Sequence, residues 1–177
     1  MNYHYEDRPW VIPAIEHAMR GAFDSVISLR RSTRDEDLGG VDAHYVVNQQ
    51  TKLQIRVRFN QLHGAWHNDV TIRTTEPSMI DAGTYAPLMF VFWCYDKDQR
   101  VHAAWLLDIY QMAQHISFTE RPIVENRDGQ TAFYPVKISE LTDAKALLKF
   151  YDGTHWARFH PDSRRQLARI LNGRVHA

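Results

Sequence analysis

The stretch Gly40–Phe59, GVDAHYVVNQQTKLQIRVRF, places one carboxylate, Asp42, and a Gln-x-Arg-x-Arg series, Gln54, Arg56 and Arg58, inside two runs that alternate like β-strands. Successive side chains point to opposite faces of a strand. In 41–47 the apolar set is Val41, Ala43, Tyr45 and Val47, so Asp42 and His44 share the other face. In 53–59 the apolar set is Leu53, Ile55, Val57 and Phe59, which leaves Gln54, Arg56 and Arg58 together. If the two runs pair as a hairpin, the carboxylate and the guanidinium groups come close. One outcome is a plain cross-strand pair on a wet face, worth about 0.2–1 kcal/mol. The other is a centre that handles phosphate, where a carboxylate and a cation on neighbouring strands serve hydrolysis.

Positioning such a centre requires a helix, a group of strands and a covering layer. A first helix is expected over about Pro13–Phe23, with Ile15, Ala18, Met19 and Ala22 at helical spacing and Glu16 near its start. Strands are expected at Ser25–Leu29, Val41–Val47, Leu53–Phe59, Val70–Thr74, Leu88–Tyr95, Val101–Leu107 and Thr131–Lys137, with a short helix at Ile109–Gln114. The residues NQQTK suit a hairpin loop. A helix capped by Ser139 is expected to run to about Leu148, and a last helix covers about Pro161–Leu171. This order predicts a mixed α/β chain forming a single domain over 1–177.

Composition sets outer bounds. Of 177 residues, 44% are hydrophobic and 24% charged, which is ordinary for a globular protein. Lys plus Arg equals Asp plus Glu, 21 each, so attraction of nucleic acid by net charge is excluded and only a local basic face could do it. The one cysteine, Cys94, sits in MFVFWCY and reads as a buried small hydrophobe; a single cysteine suits a reducing cytosol. The N-terminal MNYHYEDRPWVIP does not read as a secretory signal, and the apolar run Ala86–Tyr95 is shorter than the ~20 residues of a membrane span. A soluble, cytoplasmic protein is expected.

Other residues offer weaker chemistry. His63 and His67 in HGAWH have a metal-pair spacing but lack a third ligand, and Gly64 disfavours a helix there. Asp35, Glu36 and Asp37 read as a solvated loop. Trp93 and Trp105 read as core, whereas Trp66 and Trp156, in polar surroundings, are candidates for stacking on a nucleobase. Arg158, Arg164, Arg165 and Arg169 form the best local basic cluster, either a solvated helix face or a face that contacts phosphate.

The order of parts resembles the PD-(D/E)XK nuclease superfamily, above all its restriction-endonuclease-like and Holliday-junction-resolvase-like members. A helical Glu, a Gly-hydrophobic-Asp at a strand and a Glu or Gln-hydrophobic-Lys map onto Glu16, Gly40-Val41-Asp42 and Gln54-Ile55-Arg56. Arg30–Ser32 is similar to the Arg/Ser-rich stretch before the resolvase aspartate. The likeness covers Ile12 to Phe59, about a quarter of the chain. It implies a restriction-endonuclease-like mixed central sheet flanked by helices, and a metal-dependent DNA endonuclease or resolvase-like hydrolase acting on DNA, with a homodimer as the family's usual state. Mg²⁺ or Mn²⁺ would lower the pKa of a water and bind the phosphate, held by Asp42, Gln54, the Ile55 carbonyl and Glu16 through water. Glu16, Asp42, Gln54 and Arg56 would then converge on one exposed site at a sheet edge, with Arg58, Arg164, Arg165 and Arg169 contacting DNA. Here the triplet ends in arginine, whose guanidinium stays protonated and is suited to hold phosphate rather than to take a proton. Gln54 also removes a negative charge from the metal site. The alternative is therefore a catalytically inactive module on the same fold that binds nucleic acid or a protein.

Overall fold

The computed structural model describes residues 8–24, 27–31, 33, 44–59, 69–125 and 131–173. Its centre is the strand Leu88–Tyr95 (β5), LMFVFWCY, whose unbroken apolar sequence predicts burial on both faces. All of its residues are buried except the half-buried Tyr95. Around it lies a seven-stranded mixed sheet in the order β1-β2-β3-β5-β6-β9-β10, formed by Leu29–Arg31 (β1), His44–Val47 (β2), Thr51–Phe59 (β3), β5, Arg100–Asp108 (β6), Leu147–Tyr151 (β9) and Trp156–Arg158 (β10). β3 and β5 are parallel; the other neighbouring pairs are antiparallel. Parallel neighbours need a crossover. The one between β3 and β5 contains Asp69–Arg73 (β4) and the helix Glu76–Asp81 (α2). β4 joins Ala132–Lys137 (β8) and Val124–Glu125 (β7) in a second, three-stranded sheet ordered β4-β8-β7.

Each face of the large sheet carries its own core. On one face, Val11, Ile15 and Met19 of the helix Val11–Gly21 (α1) and Leu167 and Ile170 of the helix Ser163–Leu171 pack on Leu53, Ile55, Phe90 and Leu106. On the other, Val70, Ile72 and Val136 of the small sheet, with Ile80, Met112 and Leu141, cover Met89, Val91, Trp93 and Leu107. The helices Ile109–His115 (α3) and Ile138–Asp143 (α4) belong to this second layer, and Ser163–Leu171 is α5. The protein is mixed α/β, with a mixed central sheet flanked by helices on both sides.

Local sequence explains most boundaries. The β2–β3 hairpin turns through Asn48 (φ 52°) and Gln49 (φ 61°), and this left-handed backbone matches the twist of the paired strands. Asp108 ends β6 and caps α3, accepting the Gln111 N–H at 3.0 Å. The expected helix from Ser139 to Leu148 is corrected: α4 stops at Asp143 and Leu147–Tyr151 is a strand. Lys145 takes a left-handed φ of 54°, while Lys145 N–H bonds Thr142 O and Ala146 N–H bonds Leu141 O, both at 2.9 Å. That pairing terminates the helix. Its start is also corrected, because the cap is Lys137, whose N–H donates to Glu140 Oε2 at 2.9 Å. The strand expected at Ser25–Leu29 is found at Leu29–Arg31, and Ser25 and Val26 lie outside the described residues.

Candidate functional site

Strand β3 supplies the alternation that the sequence displays. Leu53 and Ile55 face the α1 layer, and Gln54, Arg56 and Arg58 face the small sheet. They stand in register with Met89, Val91 and Trp93 of β5, and Gln54 pairs with His44 of β2. This face is no wet hairpin surface, and β3 is no sheet edge. Gln54 is 0% and Arg56 7% exposed, so the expectation of an exposed site is corrected. The covering layer accounts for the burial: β4 and α2 return over β3 within the crossover.

The cover also brings a carboxylate. Glu76, in the first turn of α2 and 2% exposed, accepts a hydrogen bond from Arg56 Nη2 on one oxygen. Its other oxygen accepts the Arg73 N–H at 2.8 Å. Removing two charges from water is tolerable only with such pairing. Arg58 is held in the same way, by Asp69 Oδ1 at 3.2 Å and Thr71 Oγ1 at 2.9 Å. Burial pulls its pKa below the usual guanidinium value; Asp69 opposes that pull and Arg56 adds to it. Tyr85 lies beside this group, its phenol pushed well above 10.0 first by burial. Beside the pair opens a cavity of about 360 Å³ lined by Arg56, Arg58, Arg73, Thr71 and Phe133. The Gln54 amide makes no hydrogen bond among the described residues.

Glu16 does not join this group. It projects from α1 on the opposite face of the sheet, accepting a hydrogen bond from Tyr45 Oη at 2.9 Å, with Arg31 Nε at 4.0 Å. Tyr45 belongs to the α1 core, and burial chiefly pushes its phenol up to about 12. Gln54 and Arg56 are thus brought together, and the sheet separates them from Glu16. Asp42 lies outside the described residues, as do Asp35, Glu36, Asp37, His63, Trp66 and His67. The donors described on the Gln54 face are one neutral amide oxygen, a Glu76 carboxylate already engaged at both oxygens, and the Asp69 carboxylate that pairs with Arg58. Both carboxylates are neutralised by guanidinium groups, and Asp42, the anionic ligand that the resemblance implies, lies outside the described residues. Among the described residues no group of three His, Cys, Asp or Glu is placed to hold a metal ion.

A second cluster gathers around Asp24, just past the end of α1. Lys149 of β9, 4% exposed, donates to the Ala22 carbonyl and to Asp24 Oδ1 at 3.0 Å. Its charge there also complements the negative end of the helix. Arg158 Nη2 lies 3.7 Å and Arg164 Nε 3.5 Å from Asp24 Oδ2. The Lys149 hydrogen bond, ahead of the charges of Lys149, Arg158 and Arg164, holds the Asp24 carboxyl below its ordinary 3.8. Three cations face one carboxylate, and both arginines are exposed. Arg165 pairs with Asp162 at 3.8 Å, and Arg169 is exposed in the last turn of α5.

The remaining candidates settle into structure. Trp156 donates from Nε1 to the Ala18 carbonyl at 2.9 Å and packs on Phe90 and Tyr151, which corrects its reading as a stacking platform. Cys94 is 0% exposed, and burial pushes its thiol up to about 12. Sequence reasoning missed Glu76, Asp24 and Lys149. Glu76-Pro77 does carry a helix-start signal, proline in the first turn. Lys149 interrupts the apolar run ALLKF, which is the mark of a buried, paired cation.

Comparison with protein-family models gives no match, and comparison with curated proteins gives none. No helix among the described residues is long and apolar enough to cross a membrane.

Proposed function

We propose that the chain is a nucleic-acid-binding domain on a nuclease-like α/β fold, in which the Gln54–Arg56 pair does not hydrolyse phosphodiesters. The carrying observation is the buried ion pair of Arg56 with Glu76. The cation that would hold a scissile phosphate already neutralises an internal carboxylate beneath a second sheet. Phosphate contact falls instead to exposed arginines, above all Arg158 and Arg164 beside Asp24, with Arg165 and Arg169 on the same helix as Arg164. Arg58, engaged by Asp69 and Thr71, leaves the group of direct DNA contacts. A cytosolic location and a homodimer belong to the same reading.

One observation favours the second reading, a Mg²⁺- or Mn²⁺-dependent endonuclease or resolvase. The Gln54 amide is fully buried with no hydrogen bond among the described residues, and a buried polar group ordinarily has a partner. The two readings separate on incubation with branched, linear and single-stranded DNA in either metal, beside Asp42→Ala. DNA retention without cleavage is the expected result. Metal-dependent cleavage that Asp42→Ala abolishes would establish the hydrolase instead, and no binding to any DNA would remove both.

A further inference from the structure

The sheet ends at β10, and its two sides there differ in chemistry. Trp156 and Arg158 pair across the ladder with Tyr151 and Lys149, on the side of α1 and Asp24. Ala157 pairs with Phe150, which stands in register with Trp105 on the other side. Trp105 and Phe150 have ring centroids 4.4 Å apart, and Phe159, the next residue after the strand, reaches Trp105 at 5.9 Å. Phe159 is 37% exposed, more than any other Phe, Tyr or Trp among the described residues. Its sequence neighbour Arg158 has a side chain 49% exposed, and Arg164, which shares Asp24 with it, has one 68% exposed. At the outermost edge of the sheet, an aromatic ring packed on Trp105 therefore lies on one side and a cationic cluster, starting one residue earlier, on the other.

We infer that this edge is a track for single-stranded nucleic acid, with an unpaired base stacking on Phe159 and the flanking phosphates meeting Arg158 and Arg164. The inference rests on the proposed nucleic-acid function and names its substrate class. A stacking ring and a backbone-tracking cation are the two parts of sequence-tolerant single-strand recognition. A duplex keeps its bases stacked inside and offers the ring nothing. Packing against Trp105 holds Phe159 in place before binding, so little side-chain entropy is lost on contact. Asp24 pairs with both arginines and leaves the Lys149, Arg158 and Arg164 cluster net positive across the edge from the ring. That charge complementarity favours a polyanion over an apolar partner for this edge.

The test is fluorescence anisotropy with labelled oligo(dT) and with a blunt duplex, using the full chain. Phe159→Ala should weaken oligo(dT) binding about tenfold and leave duplex binding unchanged. Phe159→Trp should keep oligo(dT) affinity, which separates stacking from a folding defect. Arg158→Ala combined with Arg164→Ala should weaken oligo(dT) binding and flatten its salt dependence. If the wild type binds DNA but Phe159→Ala binds oligo(dT) as tightly, the track is wrong and the general DNA-binding reading stands. If Phe159→Trp falls as far as Phe159→Ala, stacking is refuted. A wild type that binds neither probe overturns both.

Discussion

Arg56 and Glu76 show how a residue pair acquires a role that neither has alone. Their side chains are 9% and 3% exposed, so each depends on the other for compensation of its charge. Glu76→Ala would leave a buried guanidinium without its carboxylate, and a loss of about 3–5 kcal/mol is expected in urea unfolding. Replacing both by apolar residues of similar volume should be far milder, since no uncompensated charge remains. Asp24 gives a second prediction at this scale. Its folded pKa is held below 3.8, so on acidification the unfolded state takes up the proton first. The stability that Asp24 contributes is therefore fully present above that value and disappears as pH falls through the lower folded one. Asp24→Asn should be less stable than the wild type at neutral pH, with the gap closing as pH falls below 3.8 in a series of thermal melts.

The β9–β10 hairpin is an element whose shape depends on one backbone position. Gly153 has φ +95°, and a Cβ built there would stand 2.8 Å from the His102 carbonyl oxygen of β6. Both the conformation and the close approach require glycine. Asp152 completes the turn by accepting the N–H groups of Thr154 and His155, each at 2.8 Å. Gly153→Ala should cost roughly 1–3 kcal/mol, read from the urea midpoint. If the edge track is correct, the same substitution should loosen oligo(dT) binding, because β10 carries Arg158 and leads into Phe159. On the other side of α5, Gln166 donates to Asp108 Oδ2 at 2.7 Å, tying the arginine-bearing helix to the end of β6. The cationic helix is thereby fixed to the sheet.

For the whole molecule, equal numbers of acidic and basic residues, 21 each, mean that affinity for nucleic acid must come from where the charges sit. Two arginines meeting two phosphates of a single strand would give a slope of about −1.4 for log affinity against log salt. Titration of oligo(dT) at several ionic strengths measures it. A slope several times steeper would point to a wider basic surface than the Asp24 cluster. A slope near zero would mean that phosphates are not contacted at all.

The sequence by itself determined which residues share a face. Alternation through 53–59 placed Gln54, Arg56 and Arg58 together, and the ladder agrees, because a two-residue side-chain period is a local property. It also located β5 at its observed bounds and the change from strand to helix between Leu107 and Ile109. Only the tertiary structure decided what covers that face. The crossover from β3 to β5 folds β4 and α2 back onto it, bringing Glu76 from 20 residues away to Arg56. Glu16, by contrast, is on the other side of the sheet, since the face on which a helix packs is not encoded in its own periodicity. The second half of Ser139–Leu148 differs for a related reason: the short apolar run Ala146–Leu148 fits a helix or a buried strand equally well. The left-handed turn at Lys145 and pairing with β6 made its second half a strand. Local periodicity sets direction, and long-range packing sets what each direction meets.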